Sequence, residues 1–119
     1  MRRRDPIELA VLIALVLAPA SAAAHHGWGS YDASKPLTLN GKIIESTYQN
    51  PHGTLRFESS GKVWLVILAP PFRMQNRDLP AEKLAPEATA TVVGYVHRND
   101  PNELRAERIT IDGRTVELR

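Results

Sequence analysis

The chain has 119 residues, with 15 basic against 13 acidic side chains, a net charge of +2 and no cysteine. That length suits one small domain, and the near balance of charge gives no electrostatic reason for a nucleic-acid partner or an anionic membrane. The missing thiols exclude disulfides and thiolate metal sites, and with only two methionines, one of them the initiator, a thioether-rich Cu(I) site is excluded as well.

Residues 1–24 read as a secretory signal peptide. Arg2, Arg3 and Arg4 supply a positive start, diluted by Asp5 and Glu8, and Leu9 to Ala18 is unbroken apolar sequence. Ala22-Ala23-Ala24 then offers an A-x-A cleavage site. A spanning helix needs about twenty apolar residues, twice the length of this run, so no stable membrane insertion is expected after cleavage. Cutting after Ala24 predicts a periplasmic or secreted chain whose basic and acidic residues nearly cancel. Within it, residues 25–35 form an N-terminal His-His arm and residues 36–119 a β domain.

Leu37 to Tyr48 is a long strand candidate, with Gly41 inside it as a bulge or bend. Asn50 to Gly53, "NPHG", is a turn; Thr54 to Glu58 alternates apolar and polar residues; "SSGK" turns the chain again. Val63 to Ala69 is a continuous buried-type strand, ended by Pro70-Pro71 because proline lacks an amide donor. Leu79 to Pro86, bracketed by prolines, suits a helix of one or two turns. Ala88 to His97 and Glu103 to Ile111 are further strands, and Asp112-Gly113 is a hairpin signal leading into "RTVEL". Three strands, a short helix between the third and fourth, then two or three more strands is the ordering of a small OB-type β-barrel. A small β-sandwich is the alternative.

The four histidines fall at segment ends. Cleavage after Ala24 makes His25 the first residue, so its α-amine and imidazole can chelate one metal ion together, and His26 adds a second imidazole. Such nitrogen donors in a tetragonal array favour Cu(II). A cut one residue earlier places histidine at positions two and three, which is also a copper-chelating terminus. The bland alternative is a mobile polar leader that binds copper only as any histidine-rich peptide does. His52 in "NPHG" and His97 in "YVHRND" are expected at loop edges near a barrel mouth, where they can supply further ligands. His97 is preferred over His52 for completing the set. Asp32, Asp100 and Glu103 are candidate oxygen ligands or acceptors for imidazole N–H groups, each more ordinary as a solvated carboxylate.

Trp28 and Tyr31 in "GWGSYD" are read as pinning the arm to the barrel, in preference to stacking nucleotide bases or sugars, because aromatics are sparse. Arg56, Arg73, Arg77, Arg98, Arg105 and Arg108 are spread along the chain and read mostly as a solvated face. Catalysis has no motif behind it: there is no G-x-S-x-G, H-E-x-x-H, phosphate loop or dinucleotide fingerprint.

"HHGWGSYDASKPLTLNGKI", "NPHG", "VWLVILAPP" and "VGYVHRNDPNELRAERITI" together resemble an uncharacterised family of small secreted bacterial proteins. Its pattern is a signal peptide, a His-His leader, a Y-D, a K-P-[LV]-T-L strand, an N-P-H turn and a V-x-G-Y-x-H strand. The resemblance covers the whole mature chain and implies a small β fold and export, with no activity to carry over. From the residues themselves the expected function is Cu(II) binding, for storage, buffering or delivery, through His25, His26, His52 and His97. Zinc is the alternative metal. The competing class is an OB-type module binding a peptide, glycan or cell-envelope partner without metal, and an oxidative copper enzyme is the most remote reading.

Overall fold

Glycine-containing turns cut the chain into strands close to where the sequence predicts them. A computed structural model describes residues 27–119, in which six strands form. They are β1 (Leu37–Thr47), β2 (Thr54–Ser59), β3 (Lys62–Ile67), β4 (Thr89–His97), β5 (Asp100–Ile111) and β6 (Arg114–Glu117). The signal segment and both leader histidines lie outside the described residues. Ser60-Gly61 and Asp112-Gly113 all have positive φ, the two-residue hairpin geometry whose twist matches that of antiparallel strands.

The strand order is β3-β2-β1-β4-β5-β6, and β3 returns to pair with β5. That closing seam is parallel and short, matching Leu65, Val66 and Ile67 to Glu103, Leu104 and Arg105. Every other pairing is antiparallel. Five strands therefore close a mixed barrel of OB type and β6 extends it, so the sandwich alternative does not apply.

β1 makes closure possible by serving two neighbours: Leu37–Lys42 pair with β4, and Lys42–Thr47 pair with β2. Gly41 lies at this changeover, where an added Cβ would come within 2.0 Å of the Glu58 carbonyl oxygen. The register irregularity itself falls at Ile43–Glu45, so Gly41 is a close approach and the bulge follows it.

A short helix lies between β3 and β4 as expected, but a different segment forms it. The α-helix, α1, spans Pro71–Asn76, and Ala81–Leu84 is only a 3-10 turn. Pro71 suits the first helical position, where its missing N–H costs nothing, and fully buried Met74 anchors the helix to the barrel. Pro80 and Pro86 leave too few residues between them for an α-helix, and Leu84 buries the turn they bracket. Both pieces lie between β3 and β4.

Ile43, Leu55, Phe57, Val66, Leu104 and Ile109 are among the side chains that fill the barrel, all with no exposed surface. Leu104 and Ala106 both belong to this core. Strand alternation therefore turns Glu103, Arg105 and Glu107 onto the outer wall of β5.

Candidate functional site

The arm is stitched to the end of β4 by its backbone. Gly27–Ser30 form a 3-10 turn, and Tyr31 makes an isolated antiparallel bridge with His97. The Asp32 amide donates to the Val96 carbonyl at 2.9 Å, and the Arg98 amide donates to the Ser30 carbonyl at 2.9 Å. Side chains then clamp what the backbone aligns. Trp28 meets Tyr95 edge-on, with ring centroids 6.1 Å apart, and the guanidinium carbons of Arg105 and Arg119 each lie 4.5 Å from a Trp28 ring centroid.

Tyr31 is 7 % exposed but lies outside the core cluster, so it is buried under the arm on the outer wall. Its hydroxyl donates to Glu103 Oε2 at 2.5 Å, and its ring stands perpendicular to His97 at 5.1 Å. Burial, and then the bond to the Glu103 carboxylate, hold this phenol well above the usual tyrosine range.

Arg105 links the two histidines. Its Nη2 donates to His52 Nε2 at 3.3 Å, and its guanidinium carbon lies 6.0 Å from the Tyr31 ring centroid. His52 is carried there by the loop between β1 and β2, which is fixed beside β3: the Gly53 amide donates to the Ala69 carbonyl and the Leu68 amide to the Gly53 carbonyl, at 2.9 and 2.8 Å. His52 and His97 are thus connected through Arg105 and Tyr31, with a cation between them. Desolvation lowers the affinity of His52 for a proton, and the Arg105 and Arg73 charges lower it further. The ring is therefore neutral at physiological pH, with its Nε2 lone pair turned toward Arg105 and its proton on Nδ1.

His97 uses its lone pair differently. Its Nδ1 accepts the Asn99 amide proton at 3.0 Å, which puts the neutral ring's proton on Nε2. Each described histidine has thus committed its one acceptor nitrogen, His52 to a guanidinium and His97 to a backbone amide. The candidate carboxylates are also engaged: Asp32 accepts from the Ser34 hydroxyl and amide, Asp100 accepts from the Asn102 amide, and Glu103 accepts from Tyr31. Among the described residues no group of three His, Cys, Asp or Glu side chains has the spacing of a metal site.

Arg105 is the residue sequence reasoning placed wrongly. Set among scattered arginines it reads as solvated, yet it is 7 % exposed and lies at the centre of this cluster. Only the alternation of Leu104, Arg105 and Ala106 hints that it faces the outer wall, and nothing in its neighbours signals that Trp28 and His52 will cover it.

Fold and site together define a small OB-type barrel whose N-terminal arm is clamped, through Trp28 and Tyr31, on the outer wall of β4 and β5. The chain belongs to a family of unknown function, DUF6152, whose profile matches residues 13–103. No curated protein matches it.

Proposed function

We propose that the protein is an exported metal-binding protein, with Cu(II) the preferred ion and zinc the alternative, held chiefly by His25 with its α-amine and by His26. One observation carries the reading: the arm is anchored at Trp28 and Tyr31, and Tyr31 bridges to His97. A terminus beginning at His25 would be tethered two residues ahead of the anchored turn, beside an imidazole on the barrel wall. His97 is then the candidate third ligand. Ligating through Nε2 requires it to give up the Asn99 amide bond, worth about 1 kcal/mol, a cost that a Cu–imidazole bond exceeds. His52 is the weakest of the four candidates, because its lone pair faces a guanidinium in a cationic field.

The test is a Cu(II) titration of protein secreted with its native terminus, its mass first fixing residue one, read by electron paramagnetic resonance. A single species at one equivalent, altered by His97→Ala and unaltered by His52→Ala, is expected. A spectrum that neither variant changes would assign copper to a free His-His terminus, and the copper-centre reading would fail.

A second reading, an OB-type module for a glycan or peptide, has its own support in a groove of about 680 Å³ lined by Asn40, Lys42, Ser60, Thr89, Thr91 and Thr110. Its lining offers hydroxyl and amide hydrogen-bonding groups together with the charges of Lys42, Glu58 and Asp112.

A further inference from the structure

A buried guanidinium needs a counter-charge, because an arginine cannot shed its proton and its desolvation is costly unless an anion compensates. Among the described residues Arg105 makes no ion pair. Its Nε is buried without any hydrogen-bond partner. Its Nη2 contact is a 3.3 Å bond to a neutral imidazole. The nearby carboxylates compensate it only in part: Glu103 favours the charge without bonding to it and accepts from Tyr31, while Glu107, whose buried Oε1 also lacks a hydrogen-bond partner, lies 3.5 Å from Arg119. Arg73 and Arg119 add positive charge to the field around the group.

We propose that Arg105, together with His52, forms a binding site for a small oxyanion, a carboxylate or phosphate group, on the outer wall of the barrel. The planar fork of a guanidinium matches two oxygens of such a group, and an unmatched Nε–H beside a weakly matched Nη2 leaves two donors for a bidentate partner that takes the place of His52. Trp28 and Tyr31 cover the guanidinium with aromatic surface, which lowers the local dielectric and strengthens any charge pairing made there. His52 is the movable part. Its ring is only partly buried and bonds to Arg105 through a single nitrogen, so an anion enters by displacing it. The site is independent of copper.

The test uses metal-free full-length protein in chloride buffer, titrated separately with inorganic phosphate and with acetate. Binding is followed by calorimetry and by the ¹⁵N resonance of the Arg105 Nε–H group. A saturable shift of that resonance is expected, with affinity falling at least about tenfold in Arg105→Lys, which keeps the charge and loses the fork. Arg73→Gln lowers affinity several-fold with the fold intact. Saturation by phosphate alone identifies a phosphate ligand, and saturation by both anions identifies carboxylates as ligands too. No saturation up to tens of millimolar of either anion, or binding that Arg105→Lys leaves unchanged, overturns the proposal.

Discussion

Gly94 has no room for a methyl group. A Cβ there would fall 2.2 Å from the Arg105 carbonyl oxygen and 2.9 Å from the Ala106 Cα, both main-chain atoms that cannot swing aside. Gly94→Ala should cost about 3 kcal/mol or more, read as a drop in the urea midpoint, because it pushes β4 away from β5 at the register break beside Arg105. His52 gives a different signature. Its folded affinity for protons is depressed from an ordinary value of 6.5, so below that pH the unfolded chain takes up a proton that the folded chain refuses. The stability it contributes is complete above 6.5 and is lost as pH falls toward the folded value. His52→Gln should flatten that part of the acid slope, measured as urea midpoints on both sides of 6.5. The positions of His52 in a loop and of His97 at a strand end were readable from turn residues alone. What surrounds them was not, because Arg105, Tyr31 and Glu103 meet through contacts between residues distant in the chain.

The arm is an element without a core of its own. Its hold on the barrel is one bridge made by two amide bonds, the Tyr31 hydroxyl on Glu103, the Arg98 Nε–H on the Gly29 carbonyl, and the Trp28 ring against Tyr95 and two guanidinium groups. Trp28→Ala should release it at a cost of about 1–2 kcal/mol, seen as faster hydrogen exchange at the Asp32 and Arg98 amides while the barrel amides keep their protection. The aromatic pair was predictable as a clasp, since "GWGSYD" puts two large rings in a glycine-rich leader with nothing else to bury them. The helix was not. Proline was read as a terminator at Pro70-Pro71, where it starts α1, and the proline-bracketed segment after it closes as a 3-10 turn.

At the scale of the molecule, the barrel is a sheet joined to itself by three residue pairs between β3 and β5. The β4–β5 pairing runs from Thr91 to His97 and holds far more backbone bonds. Native-state hydrogen exchange should therefore find the Leu65–Ile67 seam opening before the β4–β5 amides, with a lower free energy of opening. Equal protection across both would mean that the barrel opens only as a unit. Five to six strands in an OB-type arrangement followed from turn chemistry and hydrophobic patterning, while the order in which they pair came from the structure. The seam itself has no local signal, because parallel pairing of distant strands is set by how the sheet curls.

The clasp at Trp28 also sets a leash length. Consecutive Cα atoms are about 3.8 Å apart, so a residue two positions ahead of Gly27 can range over a sphere of only about 8 Å radius. On the copper reading, a group carried there shares with His97 an effective concentration of about millimolar or higher. A contact too weak to form between separate molecules can then stay mostly formed within this one. Lengthening the leash by a few glycines would dilute that encounter without altering a single side chain on the barrel.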